Sequence, residues 1–166
     1  MMRSNLFQNK KIRQLIWLII AAVVVIADQI VKRRILSGCV QNAKFGELPG
    51  VADFIYVKNT GAAFSMLSNN TIILGAVSVV FCIAVIVFWF IGKEKHVMLK
   101  LALALLFAGA LGNAIDRVAY GFVVDFISIK WFNFPVFNIA DIAIVSGAIA
   151  AIIYFIFLDK EEPKNE

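Results

Sequence analysis

The sequence is poor in charge, cysteine, histidine and proline. Charged residues make up 16% of its 166 residues, whereas about a quarter is usual in soluble domains. The two cysteines, Cys39 and Cys82, do not indicate a disulfide framework, so the fold must be held together by packing. The single histidine, His96, lies in the charged stretch GKEKH and is assigned no role.

Hydrophobic residues, in contrast, make up 61% of the chain, and the mean hydropathy is +0.87. This composition is typical of an integral membrane protein. The net charge of +5 does not indicate a nucleic-acid partner, because the basic residues cluster beside apolar segments, as membrane topology predicts.

Four apolar segments are long enough to cross a bilayer, which takes roughly 20 mostly apolar residues. They are residues 15–35, 71–91, 97–116 and 138–158. Strand-length alternation does not recur along the chain, which argues against a β-barrel. The sequence therefore predicts an all-α membrane protein with four transmembrane helices, forming a single integral membrane domain over residues 1–166.

The segments between these helices indicate where other structure lies. Residues 36–70 and 117–137 are predicted to be outer loops, and residues 159–166 a polar cytoplasmic tail. The first loop has Pro and Gly followed by the strand-like FIYV, which favours a small extracytoplasmic β-rich subdomain between helices 1 and 2. In the second loop, FVVDFISI is typical of a strand or an interfacial turn.

Basic residues near the span ends predict the orientation. Arg3, Lys10, Lys11 and Arg13 precede the first span, which predicts a cytoplasmic N-terminus, and four spans return the C-terminus to the same side. Over all span ends, the cytoplasmic side holds nine basic residues against seven, so the N-terminal cluster is the stronger signal.

Polar side chains gather at the predicted outer face of the membrane. On the first helix two of them are four residues apart, and on the third helix three of them share one face. The full set is Asp28, Lys32, Asn59, Asn113, Asp116, Arg117, Asp125, Asn138 and Asp141. Because ionisable groups are costly near a bilayer, nine polar groups at one depth predict a functional site.

Each of these residues also has a purely structural explanation. Asn138 and Asp141 have the spacing of a helix cap, and Asp28 with Lys32 has that of an ion pair. Gly61 either permits close backbone approach or belongs to a tight turn. Taken together, the polar groups exceed what capping requires.

Several functions are compatible with such a cluster. A small proton- or cation-coupled transporter would use membrane carboxylates as relays. A metal-dependent enzyme acting on lipid headgroups would hold Mg²⁺ with Asp and Asn side chains. A structural assembly protein would tolerate Asp→Asn changes at both Asp125 and Asp141.

Four blocks of the sequence are similar to those of the bacterial lipoprotein signal peptidases, the signal peptidase II family. The blocks are DQIVK (28–32), NTGAAFSM (59–66), GNAIDRVAYGFVVDF (112–126) and FNIADIAIVSG (137–147). They occur in the family's order and spacing and span nearly the whole membrane body. Thr60 is a small departure, at a position where the family most often has a second asparagine.

The resemblance implies an intramembrane aspartic endopeptidase of the bacterial inner membrane, with its active site at the extracytoplasmic face and both termini in the cytoplasm. Its substrate would be a prolipoprotein whose lipobox cysteine carries diacylglycerol, cut on the amino side of that cysteine. We expect no cofactor, no metal and no nucleic-acid partner, and a monomeric enzyme in contact with membrane lipid.

Matched block by block, the resemblance implies that Asp125 and Asp141 are the catalytic dyad. The substrate-binding or site-supporting residues that it implies are Asn59, Gly61, Asn113, Arg117, Asn138, Asp28, Lys32 and Asp116. Two carboxylates held a few ångströms apart share one proton, so one can activate a water while the other donates to the scissile carbonyl. The sequence leaves open which aspartate holds the proton.

Overall fold

Four helices account for most of the residues in the structure, a computed structural model that describes residues 10–61, 70–91 and 96–159. They are α1 (Lys10–Gly38), α2 (Thr71–Ile91), α3 (Val97–Tyr120) and α4 (Ile139–Ile153), the last continued by a π-helical turn, Tyr154–Leu158. All four are long and apolar enough to cross a membrane. The predicted multi-pass helical fold is therefore confirmed.

α3 is longer than predicted. Its last turn carries Arg117, and Gly121, with a φ of 75°, ends the helix by donating its N–H to the Arg117 carbonyl. The boundary predicted at residue 116 was wrong because Asp116 is fully buried among partners and does not mark a solvated helix end. Arg117, which the predicted boundary left just outside the helix, lies within α3, in agreement with its predicted place on one helix face with Asn113 and Asp116.

α3 is also the central helix of the bundle. In its apolar window 61% of residues are buried, against 17–22% in the other three helices. Glycines permit the close packing: Gly109 lies against the Ala140 carbonyl of α4, and a Cβ added to Gly112 would lie 2.7 Å from Asp28 Oδ2 of α1. The polar ends of α1, α3 and α4 are thereby brought together.

A three-stranded antiparallel sheet covers this end of the bundle, which we call the sheet end. Its strands are β1 (Lys44–Leu48), β2 (Ala52–Asn59) and β3 (Val123–Ile129), in that order across the sheet. The predicted β-rich subdomain between the first two helices supplies only β1 and β2. β3 comes from the second outer loop, pairs antiparallel with β2, and places Asp125 opposite Val57 of β2.

The start of α4 is tied to β3. Phe137 accepts hydrogen bonds at its carbonyl from the backbone N–H groups of Phe126 and Ile127, and it donates to the Ile127 carbonyl. These bonds fix Asn138, the next residue, beside β3. Tyr154–Leu158 lies at the opposite end of α4. The N-terminal residues before Lys10, the part of NTGAAFSM after Gly61 and the tail after Asp159 lie outside the described residues.

Candidate active site

Asn138 joins the side chains of Asp125 and Asp141 at the sheet end. Its Nδ2 donates to Asp125 Oδ1 at 2.7 Å, and its backbone N donates to Asp141 Oδ2 at 3.1 Å. Its Oδ1 accepts from Asp141 N at 2.9 Å, which completes a capping box at the start of α4. Two carboxylates from separate elements are therefore held on either side of one asparagine.

Asn113 of α3 holds the other oxygen of Asp141. Its Nδ2 donates to Asp141 Oδ1 at 2.7 Å, while its Oδ1 accepts from Asn138 Nδ2 at 3.1 Å and from Lys32 Nζ at 3.0 Å. Because an ammonium group can only donate, Lys32 fixes which end of the Asn113 amide faces Asp141. The carboxylate of Asp141 consequently meets an N–H donor.

Lys32 is the centre of a fully buried ion cluster. Its Nζ lies 2.9 Å from Asp28 Oδ2 and 3.1 Å from Asp116 Oδ2, and all three residues are 0% exposed. Asp28 Oδ1 accepts from the Ala140 backbone at 3.0 Å, and Asp116 Oδ2 accepts from the Val124 backbone at 3.0 Å. The cluster thus fastens together α1, α3, β3 and α4, including the two segments that carry Asp125 and Asp141.

Gln29 is a buried member of this cluster that sequence analysis missed. Its Nε2 donates to Asp116 Oδ1 at 2.9 Å and to the Gly112 carbonyl at 3.1 Å. The sequence did offer a signal for Gln29, since it is an amide next to Asp28 in a largely apolar helix. A buried amide needs hydrogen-bond partners, so such a residue indicates a polar network.

The end of β2 contributes a second contact to Asp125. Asn59 Nδ2 donates to Asp125 Oδ2 at 2.8 Å, and Asn59 Oδ1 accepts from the Gly61 backbone at 2.9 Å in a local turn. With Asn138 on its other oxygen, Asp125 therefore accepts an amide hydrogen bond at each oxygen.

Arg117 lies beside the two aspartates with part of its donor capacity unused. Its Nη2 donates to the Gly61 carbonyl at 3.2 Å, and both Asp141 and Asp125 lie within electrostatic range. Its Nε is buried and has no hydrogen-bond partner among the described residues. An unpaired buried donor is costly, so this atom indicates a site for a ligand group that accepts a hydrogen bond.

The environments of the two carboxyl groups differ. Burial, and after it the negative charge of Asp141, raise the pKa of Asp125 from an ordinary 3.8 to about 7. Hydrogen bonds from Asn59 and Asn138 favour the ionised form but do not outweigh burial. Asp141 is partly exposed and lies in the first turn of α4, where the helix dipole favours a negative charge.

All ten predicted site residues belong to one hydrogen-bonded network at the sheet end. The network contains Asp28, Lys32, Asn59, Gly61, Asn113, Asp116, Arg117, Asp125, Asn138 and Asp141. Within the described ranges, no three His, Cys, Asp or Glu side chains are grouped so as to hold a metal ion. The arrangement can perform acid–base chemistry with two carboxyl groups.

Comparisons with known proteins show the family of the chain. The family model described as signal peptidase (SPase) II matches residues 20–157. A lipoprotein signal peptidase of Lactobacillus johnsonii is 36% identical over 92% of this chain and 99% of its own. One from Acinetobacter baumannii is 40% identical over 98% of this chain and 95% of its own.

Two solved structures are also similar to this chain, and both are described as bacterial membrane enzymes. One matches with a TM-score of 0.81 and 35% identity, covering 88% of this chain and 92% of the other. The second matches with a TM-score of 0.78 and 36% identity, covering 87% and 94%.

Proposed function

The chain belongs to the signal peptidase II family, and we propose that Asp125 and Asp141 are the catalytic pair of this aspartic endopeptidase. Its reaction is the removal of signal peptides from lipoprotein precursors. The observation that carries the assignment of the pair is the contact of both carboxyl groups with Asn138. The finer features proposed for the substrate are a diacylglyceryl-modified lipobox cysteine and cleavage on the amino side of that cysteine.

In the proposed mechanism Asp141 is the general base and Asp125 the general acid. Asp125 is the more buried group, and its raised pKa of about 7 keeps a proton on it up to near neutral pH, so Asp141 is assigned to take the proton from water. Asp141 takes a proton from a water, which adds to the scissile carbonyl, and Asp125 donates its proton to the carbonyl oxygen. As the tetrahedral intermediate collapses, Asp141 gives the proton that it took to the leaving amine, and a hydroxyl of the intermediate returns a proton to Asp125.

Arg117 and Asn59 act on the substrate in this scheme. The unpartnered Nε of Arg117 is the donor available to a peptide carbonyl beside the carboxyl pair. A donor that meets developing negative charge stabilises a transition state by about 3 kcal/mol. Asn113 and Asn138 use their amide groups to position the carboxylates, and Lys32 with Asp28 and Asp116 braces them.

The proposed orientation places the sheet end at the extracytoplasmic face of the bacterial inner membrane and both termini in the cytoplasm. A signal peptide is itself an apolar helix whose cut site lies near that face, so a site at one end of the bundle suits it. The enzyme is proposed to work as a monomer in contact with lipid, because one chain supplies both aspartates.

A transporter is not favoured. The buried charges of the network gather at the sheet end, whereas a relay needs groups along a path through the membrane. α2 carries no charged residue over its whole length, and the family to which the chain belongs is a peptidase family.

The proton assignment predicts the pH dependence of cleavage. Turnover requires Asp125 protonated and Asp141 ionised, so kcat/KM is expected to fall as pH rises above about 7, by about tenfold per pH unit once Asp125 is mostly ionised. Initial rates of precursor cleavage, measured from about pH 5 to about pH 9, test this expectation.

Asn59→Leu serves as the informative variant for this profile. The amide of Asn59 stabilises the ionised form of Asp125, so a side chain of similar size without a donor is expected to move the alkaline limb to higher pH. A limb that stays in place or moves to lower pH in Asn59→Leu would show that another group controls it.

A further inference from the structure

Two buried carboxylates hold the backbone next to the proposed catalytic pair. Asp116 Oδ2 accepts a hydrogen bond from Val124 N, and Asp28 Oδ1 accepts one from Ala140 N, each at 3.0 Å. Each of these backbone groups belongs to the residue directly before one member of the pair. The distance between the two buried carboxylates is therefore passed on to the distance between the two catalytic carboxyl groups.

These carboxylates share one ammonium group. Lys32 Nζ lies 2.9 Å from Asp28 Oδ2 and 3.1 Å from Asp116 Oδ2, and all three residues are 0% exposed. When all three are ionised, the one positive charge leaves one of the two negative charges unbalanced. Because a buried carboxylate without sufficient donors is costly, the Asp116 oxygen that Lys32 does not contact needs a donor of its own.

Gln29 supplies this donor from the helix that also carries Asp28 and Lys32. It is 8% exposed, and its Nε2 donates to Asp116 Oδ1 at 2.9 Å and lies 3.4 Å from Asp28 Oδ2. The same nitrogen donates to the Gly112 carbonyl at 3.1 Å. Because carbonyl and carboxylate oxygens only accept, the nitrogen of the amide and not its oxygen must face them.

We propose that Gln29 is a positioning residue for peptide cleavage and acts by fixing the distance between the two catalytic carboxyl groups. This role rests on the proposed catalytic function. Contact with Lys32 alone would let the Asp116 carboxylate rotate, whereas Gln29 on its other oxygen fixes it together with the strand bonded to it. Since a misplacement of about 1 Å costs about 10²-fold in rate, loss of this contact slows the chemical step.

Amide hydrogen exchange tests whether Gln29 holds β3. Gln29→Met keeps a similar side-chain length but removes both N–H donors, and exchange in the full isotope-labelled chain is followed by NMR in detergent micelles. The Val124 N–H is expected to exchange about tenfold faster, because Asp116 is held less firmly. The Ile127 N–H of the same strand donates to the Phe137 carbonyl and is expected to exchange at the wild-type rate.

The kinetics of the same variant test the effect on the reaction. With a lipoprotein precursor, kcat per folded protein is expected to fall about tenfold while KM stays unchanged, because Gln29 is buried in the cluster and acts on the catalytic groups.

Two further variants separate the amide contacts from other effects. Gln29→Asn keeps a polar side chain but withdraws the amide by one methylene group, so it is expected to give the same pattern as Gln29→Met. Gln41→Met makes the same replacement at an exposed amide in the loop after α1. It is the matched control and is expected to leave exchange, kcat and KM unchanged.

Three results would overturn the proposal. Equal acceleration of Val124 and Ile127 exchange would show that Gln29 contributes to general stability alone. Faster Val124 exchange with an unchanged kcat would show that the reaction does not depend on this contact. Wild-type exchange in both Gln29 variants would show that the side chain only fills space. Absence of cleavage by the wild-type chain would instead refute the proposed function itself, a result on which the exchange rates do not depend.

Discussion

Asp125→Asn and Asp141→Asn are each expected to lower the turnover of a lipid-modified precursor by about 10³-fold or more. An asparagine cannot take a proton from water or donate one at neutral pH, so each variant removes one half of the acid–base pair. Both side chains keep the size of the original residue, and each can still accept the hydrogen bond from one neighbouring amide. Cleavage by purified protein, followed by the release of the signal peptide, measures the effect.

Asp53→Asn is the matched control for these variants. Asp53 is a partly exposed carboxylate of β2 that pairs with Lys44 and Lys130 on the surface of the sheet, away from the network. Its replacement is expected to leave turnover unchanged. All three variants should unfold at a similar denaturant concentration, and retention of more than about a tenth of wild-type turnover by either site variant would refute the dyad.

Lys32→Met is expected to destabilise the folded protein by about 3–5 kcal/mol. It removes the only cation that pairs with Asp28 and Asp116 among the described residues and leaves two fully buried carboxylates facing one another. It also removes one of the two donors to Asn113 Oδ1 and leaves only Asn138 Nδ2, so the Asn113 amide that donates to Asp141 is held less firmly. Turnover should therefore fall as well, in the fraction of protein that remains folded.

Unfolding by sodium dodecyl sulfate in mixed micelles measures the stability change. Lys44→Met is the control, because Lys44 also pairs with two carboxylates, Glu47 and Asp53, but does so on the exposed sheet. Lys44→Met should change the free energy of unfolding little, since exposed ion pairs contribute little to stability. Equal stability of the two variants would mean that the buried cluster does not fasten the helices together.

The helices and the gathering of polar groups were predictable from the sequence because they follow from local rules. A length of about 20 apolar residues identifies a span. Because successive spans cross the membrane in opposite directions, the ends of α1 and α3 lie at the same face as the starts of α2 and α4. The i, i+3 and i+4 spacing of Asn113, Asp116 and Arg117 places them on one helix face. The resemblance of four sequence blocks to the signal peptidase II family then implied the roles of the polar residues.

The remaining features depend on long-range contacts that no local pattern encodes. Gln29 belongs to the network only because α3 packs within reach of its amide. β3 joins a sheet whose other strands lie more than 60 residues earlier, as the pairing of Val57 with Asp125 illustrates. The proton assignment within the pair depends on the burial of Asp125, which only the packed structure defines.

Cleavage of a diacylglyceryl-modified prolipoprotein by the purified wild-type protein in the presence of EDTA tests the central claim most directly. If two carboxyl groups perform the hydrolysis, the initial rate in EDTA equals that without it, and the product begins at the modified cysteine. A rate that EDTA abolishes and Mg²⁺ restores would contradict the account, as would equal cleavage of the precursor that lacks the lipid.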